Sequence, residues 1–423
     1  VFGVEVKARA IAAPGFRQVL AATFTFFVFA MALLAYMPTA ACASSDESGG
    51  VTEAPIDAPS GASPFDRQGM WIWYVSRSES GSIPGLVARA RQVGVGTVYV
   101  KAGDGGGVWS QFSPSLIEGM HRGGIDVCAW QFVYGERPLA EARVGAAAVR
   151  RGADCLVIDA EAEYEGRYAA AERYIRALRA RIGQGFPLSL AGFPYVDYHP
   201  AFPYSVFFGP EGATYNQPQM YWKAIGTSVR TVFEHTYLFN RLWGHPVYPI
   251  GQTYEGPGRA SVLRFRRFAE SYGGLAPSWW DWQETSRPTW NALAAPIRPL
   301  TNYRPVVSQP LLKRGSRGDL VVWAQEHLVG ADSPNLPVTG VFGKQTTSAV
   351  RAFQLSRGLP VDGAIGTTTW DALLEVDPVR PRWAARRARA SSGAGAGRAL
   401  PTARPRSASL AAKSYEIDPG PAP

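Results

Sequence analysis

The stretch "CLVIDAEAEYEG", residues 155–166, begins as the inside of a sheet and ends in acid. Cys155 to Ile158 are apolar or thiol-bearing, and Asp159, Glu161, Glu163 and Glu165 then follow at every second position. Side chains two apart on a strand share a face and stand about 6.6 Å apart along it. Asp159, Glu161 and Glu163 are therefore expected to point the same way. Such a strand belongs in a buried sheet whose carboxyl end opens on a polar cleft.

Seven similar runs flank it. Strands are predicted at 70–75 ("MWIWYV"), 97–102 ("TVYVKA"), 125–132 ("IDVCAWQF"), 155–161, 187–193 ("PLSLAGF"), 217–222 ("QPQMYW"), 246–252 ("PVYPIGQ") and 278–283 ("SWWDWQ"). Helix-like stretches such as "LAEARVGAAAVRRG" and "YAAAERYIRALRARIG" lie between them. Eight strands alternating with helices predict an α/β fold, a (β/α)8 TIM barrel over 67–297. In that fold the site lies at the carboxyl ends of the strands.

Polar residues gather at those ends: Lys101 and Asp104, Gln131 and Tyr134, Asp159 with Glu161 and Glu163, Tyr195 and Asp197, Gln219 and Tyr221, Gln252 and Tyr254, and Asp281 with Gln283. With aromatics interleaved, they suggest a cleft for a polar ligand that has flat faces. Two carboxylates in one cleft push their pKa values apart, leaving one group as acid and the other ionised, as glycosidic cleavage requires. Asp159 and Glu161 are the catalytic candidates. The bland alternative is that the acids pair with Lys101, Arg122 or Arg137, or solvate a loop, as Glu163 and Glu165 are free to do. Lys101, Asp104, Gln131, Glu163, Tyr195, Gln219, Tyr221, Trp222, Asp281 and Trp282 are the candidates for substrate contact. Trp130, Tyr221, Trp222, Trp280 and Trp282 could stack on sugars, but alternation turns about half of them outward into the core.

Other chemistries find little support. The glycine-rich "KAGDGGGVW" (101–109) lacks the ending of a phosphate loop and reads as a loop over the mouth. The five histidines show no paired ligand spacing, so no metal and no cofactor is expected, and there is no nucleophile elbow. Three cysteines make no disulfide scaffold; Cys128 and Cys155 lie in strand-like runs, as buried thiols or as a bridge.

The termini differ in composition. Residues 1–43 run from basic to apolar to small, which reads as a secretory signal or an uncleaved membrane anchor. Residues 44–66 read as a flexible linker, and the protein is expected outside the cell, at the wall. From Pro378 onward nine Lys/Arg face two acids, so +7 of the net +9 lies in the tail, and 376–423 reads as basic and disordered. Charge so confined argues against a nucleic-acid partner. The expected state is a monomer.

Near the carboxyl end "GVFGKQTTSAV" and "GAIGTTTWDAL" repeat one pattern at an offset of 23 residues: a glycine turn, then Thr346 or Thr369 as an expected helix cap. A short linker, 298–309, leads into this all-α unit, 310–375.

Two resemblances attach to these residues. The segment from "LLKRGSRGDLVVWAQEHL" to "GAIGTTTWDALL" resembles the peptidoglycan-binding domain type 1 family along its full length, through Gly315, Gly318, Gly340, Phe342, Gly343, Thr346, Phe353, Gln354, Asp362, Gly363, Gly366 and Thr369. It implies a partner in bacterial peptidoglycan. "IDAE", "QMYW" and "WWDWQ" resemble the glycoside hydrolase family 25 barrels, cell-wall muramidases that cut the β-1,4 bond between amino sugars. By that resemblance Glu161 is the general acid, and Asp159 positions or stabilises the substrate's acetamido group or the intermediate it forms. The family also has an Asp on its first strand, where "MWIWYVSRS" offers none and Ser76 is the nearest polar group. That absence keeps a second expectation open, a wall-binding protein that does not cut, beside a third, hydrolysis of another polysaccharide.

Overall fold

The computed structural model describes residues 63–383 apart from 274, 306 and 307, together with 416–417. The expected signal or anchor, nearly all of the first linker and the tail beyond 383 lie outside the described residues, except that 416–417 pair with Pro310–Leu311.

Eight strands form the barrel: β1 (Gly69–Ile72), β2 (Thr97–Asp104), β3 (Asp126–Val133), β4 (Cys155–Ala160), β5 (Leu188–Ala191), β6 (Tyr215–Asn216), β7 (Ile250–Gln252) and β8 (Ser278–Trp280). Neighbours pair in parallel in the order β6-β5-β4-β3-β2-β1-β8-β7. Parallel bridges from Asn216 to Val247 and from Gln219 to Ile250 close the ring. The sixth strand is thus shorter and earlier than expected. Pro218 cannot donate to a ladder, so pairing narrows there to the Gln219–Ile250 bridge, and "QMYW" leaves the sheet after Met220, whose N–H donates to Ile250 O.

Helices α1 (Ile83–Val93), α2 (Pro114–Arg122), α3 (Pro138–Arg150), α4 (Tyr168–Ile182), α5 (Val229–Asn240), α6 (Arg259–Ser271) and α7 (Arg287–Ala294) cover the strands. Their starts are chemically marked. Ser82, Ser113 and Ser228 accept bonds from Gly85, Leu116 and Thr231 N–H, and Pro84 and Pro114 sit in first turns. In α4 the buried face is Ala171, Tyr174, Ile175, Leu178 and Ile182, the spacing of one helical stripe.

Two cores result. The larger lies between strands and helices; the smaller fills the barrel with Trp71, Tyr99, Cys128, Trp130, Cys155, Val157, Tyr248 and Ile250. Phe65 joins this inner set, packing 4.5 Å from Tyr215. Cys128 and Cys155 are register partners on β3 and β4 and form a disulfide.

The carboxyl-terminal module has three helices, α8 (Asp319–Ala331), α9 (Lys344–Ser356) and α10 (Thr367–Leu374). Its two repeats are held alike. Buried Gln325 accepts from Gly340 N–H (3.0 Å) and donates to Thr346 Oγ1 (2.9 Å), and buried Gln354 accepts from Gly363 N–H (2.9 Å) and donates to Thr369 Oγ1 (3.1 Å). Gly340 and Gly363 have φ of 70° and 80°, which favours glycine. The cap positions are Gly343 and Gly366, three residues before the threonines that were expected there. Thr346 and Thr369 turn inward, because their hydroxyls complete the buried glutamine networks.

The module is docked on the barrel. Asp319, the first residue of α8, accepts from Ser205 N–H and Oγ–H, both at 2.7 Å, and its own N–H donates to Pro200 O at 2.7 Å. Trp323 Nε1 donates to Leu242 O at 2.8 Å, and its ring lies edge-on to Trp243. The segment expected as a linker also packs: Tyr303 meets Phe268 at 4.7 Å, and its hydroxyl lies 2.7 Å from that of Tyr272. The start of the expected disordered tail is ordered, with Arg380 on Glu211 (2.8 Å) and Trp383 against Tyr168.

Candidate active site

Alternation carries Trp71 and Trp73 on β1 and its extension, Tyr99 and Lys101 on β2, Cys128 and Trp130 on β3, and Cys155, Val157 and Asp159 on β4 to the barrel interior. At the carboxyl end the indoles of Trp73, Trp130 and Trp280 form a floor, with ring centres 5.4–6.3 Å apart. β2 carries a register shift between Lys101 and Gly103. The extra residue brings Lys101 and Asp104, three apart in sequence, to one side. Gly103 is required there, because a Cβ would run into Val144 of α3.

Lys101 is 3% exposed. Its Nζ lies 2.6 Å from Asp104 Oδ2 and 4.9, 4.5 and 4.8 Å from the ring centres of Trp73, Trp109 and Trp130. Tyr134 O–H donates to the other Asp104 oxygen at 2.8 Å.

Asp159 and Glu161 are joined by Gln219, whose Nε2 donates to Asp159 Oδ1 and to Glu161 Oε1, each at 3.1 Å. Those two oxygens are therefore at most twice 3.1 Å apart. Burial holds the Asp159 carboxyl well above the usual carboxylate range, and repulsion from Glu161 adds to it while Lys101 works against it. Burial also raises Glu161, against the bond from Gln219. Two coupled buried acids of this kind titrate as a pair and retain a proton toward neutral pH.

Tyr221 completes the wall. Its ring is edge-on to Tyr254, and burial, with Tyr254, Asp159, Glu161 and Asp281 nearby, holds its hydroxyl well above its ordinary value. It is a neutral donor. Asp281, 1% exposed, accepts from Gln283 and from Glu284 N–H, and burial pushes it up to about 7.

The cleft thus assembles Asp159, Glu161, Lys101, Asp104, Gln219, Tyr221 and Asp281. Five expected contacts do not enter it as anticipated. Gln131 follows inward Trp130, so it faces α3, where Nε2 donates to Gly105 O and Glu141 O. Trp222 starts a short helix, Trp222–Ile225, and packs on Phe265 in the outer core. Trp282 packs edge-on to Trp290 of α7, because inward Trp280 has already taken the floor position. Tyr195 stacks on His235 of α5 at 3.9 Å. Glu163 lies beyond the end of β4, in a 3-10 turn over Ala162–Tyr164, and is exposed; alternation no longer governs it.

Trp73 and Trp109 were not anticipated. Trp73 was legible from Trp71 by the two-residue period, whereas Trp109 depends on the return strand Gly107–Val108 folding back on β2. His199 pairs with Glu165 and stacks on Phe193. Among the described residues no group of three or more His, Cys, Asp or Glu could hold a metal ion. A cavity of about 370 Å³ lies at the seam with the module, lined by Tyr168, Pro200, Arg317, Val322 and Trp383 among others, and no acid lines it.

Residues 317–373 match the family described as "Putative peptidoglycan binding domain", so the three-helix module is a domain of that family. A curated relative, "Uncharacterized protein in bpoA1 3'region" of Kitasatospora aureofaciens, is 39% identical over 67 residues, 16% of this chain and 57% of the relative. The chain therefore spans little more than half the length of that relative. Among solved structures, the spore cortex-lytic enzyme SleL of Bacillus cereus is similar at 11% identity over 58% of this chain and 77% of that one, with a TM-score of 0.40. A family 25 glycosyl hydrolase of Bacillus anthracis is similar at 12% identity over 39% and 76%, with a TM-score of 0.27.

Proposed function

We propose that the protein is a wall-associated glycoside hydrolase that cuts the β-1,4 bond between amino sugars in peptidoglycan, working outside the cell. The observation that carries this reading is the buried Asp159–Glu161 pair bridged by Gln219 at the mouth of a barrel that is docked to a peptidoglycan-binding domain. Glu161, the less buried of the two, protonates the leaving oxygen and later takes a proton from water. Asp159, deeper and beside Lys101, supports the acetamido group and the positive charge that develops at the sugar. The indole floor and Tyr221 offer flat surfaces to sugar rings.

A second reading, a barrel that holds glycan without cutting it, is favoured by β1. The inward residues of β1 and its extension are the indoles Trp71 and Trp73, and no aspartate stands there, whereas the resembled family has one on its first strand.

The test is release of new reducing ends from purified walls. The protein should release them, and Glu161→Gln should lower the rate by about 10²–10⁴-fold while wall pull-down persists. Wall binding with no release by either protein would establish the second reading instead.

A further inference from the structure

The cavity of about 370 Å³ at the seam is separate from the cleft, and its walls come from three parts of the chain. Tyr168 and Ala201 belong to the barrel, Arg317, Val322 and Thr339 to the module, and Trp383 to the segment that straps the two together. That segment is fixed on both sides. Val379 N–H donates to Glu326 O of α8 at 3.2 Å, Arg380 meets Glu211 at 2.8 Å, and Trp383 N–H donates to Glu172 Oε2 of α4 at 3.2 Å. The barrel's share lies on the catalytic rim. Tyr168 opens α4, seven residues after Glu161, and Ala201 lies in the loop that follows β5. Gly166 N–H donates to Ala201 O at 2.7 Å and ties the two loops together. Glu161 and the pocket are thus separated by one short loop, at most about 25 Å of extended chain.

The lining is chemically selective. Its volume falls within the roughly 300–1,000 Å³ of small-ligand sites. Arg317, which is exposed, is the one charged residue on it. Asp319, two residues on, is turned away to Ser205. A guanidinium set among apolar walls selects a carboxylate. The Tyr168 and Trp383 rings pack on each other at 4.4 Å with a tilt of 36°, a wall for methyl groups more than a platform for a sugar ring. Gly340 adds no side chain to this space, since a Cβ there would stand 3.2 Å from Val322 and 3.3 Å from Gly318 O.

We propose that the seam pocket binds the peptide stem of peptidoglycan, with Arg317 taking a stem carboxylate and the apolar walls its alanyl methyl groups. That role rests on the wall-directed reading above and divides the work: the cleft holds amino sugars, and the pocket reads the peptide that hangs from them. Arg317, Val322 and Thr339 lie within the segment 317–373 that matches the peptidoglycan-binding family, whereas Tyr168, Ala201 and Trp383 lie outside it. The pocket therefore exists only where module and barrel are docked.

The measurement is isothermal titration of the full chain with stem peptides released from purified walls by an amidase, with amino-sugar oligosaccharides stripped of peptide as competitors. The parent should bind the peptides, and the bare oligosaccharides should not displace them. Arg317→Met should weaken binding about tenfold or more, since a charge-assisted bond is lost. Ala201→Trp, which fills the pocket from the exposed barrel side and leaves the module's sequence intact, should weaken it as far. Retained pull-down of insoluble wall marks each variant as folded, and if one fails that control the other decides. No binding by the parent, binding by a folded variant equal to the parent's, or displacement by the bare oligosaccharides would overturn the assignment. Peptide titration needs no turnover. Peptide binding in a protein that releases no reducing ends would therefore keep the pocket and reject the glycosidase reading alone, and release without peptide binding would do the reverse.

Discussion

Gln219 gives one amide nitrogen to two carboxylates, and removing it exposes what that bond does. Gln219→Leu keeps the volume and leaves two buried acceptors without their donor, a change that costs about 1–3 kcal/mol. Urea unfolding at pH 7 should show that loss, and the pair should hold its proton to higher pH, because the bond favoured ionised Glu161. Asp281 makes a pH prediction of definite sign. Folded, it holds its proton to about pH 7, against 3.8 for an unperturbed carboxyl. Between those values the native state binds the extra proton, so the contribution to stability is complete below about pH 4 and is lost as pH rises to about 7. Urea midpoints should fall across that window, and Asp281→Asn should fall less steeply; identical slopes would contradict this. Most of this site was legible residue by residue, since Asp159, Glu161, Gln219 and Tyr221 follow from polar ends on apolar runs. Which way each tryptophan faced was not, because the inward position on β8 depends on its register with β1 and β7, and that is set across the ring.

Among elements, the strands were readable as buried runs, and the errors cluster where the sheet is interrupted. β6 is two residues long and beyond Pro218 is continued only by the Gln219–Ile250 bridge, so the end of an apolar run of the right composition became a helical turn. β2 gains its odd spacing of Lys101 and Asp104 from a register shift that no hydrophobic pattern announces. β3 and β4 met expectation and are tied by the disulfide between register partners Cys128 and Cys155, 27 residues apart. Closing a loop of that length removes unfolded-state entropy worth about 3.5 kcal/mol. Replacing both cysteines with serine should therefore lower the urea-unfolding free energy by about that amount, with further loss from two hydroxyls in the inner core. A thiol assay on the unfolded full chain, which also carries Cys42, should count one thiol before reduction and three afterwards.

At the scale of the whole molecule, composition suggested two bodies on a leash, and the described residues form a seam. Short, turn-rich segments such as 298–309 read as linkers, since burial of Tyr303 or Trp383 depends on partners far away in the chain. The seam is built from Asp319 on Ser205, Trp323 on Leu242 and Trp243, and Arg380 on Glu211. A targeting domain on a loose tether raises the concentration of a catalytic domain near its polymer and leaves its direction free. A docked one also fixes the angle at which the cleft meets the strand that the module holds. Trp323, 3% exposed, is the residue on which to test this. Trp323→Ala removes a buried indole and its bond to Leu242 O, a loss of about 3–5 kcal/mol. Calorimetry should show the parent unfolding in one transition and the variant in two, and X-ray scattering should show the variant with the larger radius of gyration. Wall pull-down should persist while release of reducing ends falls, because the module still binds but no longer aims the cleft. A variant that unfolds in one transition with an unchanged radius would mean that the remaining contacts, Asp319 and Arg380 foremost, hold the module without the indole.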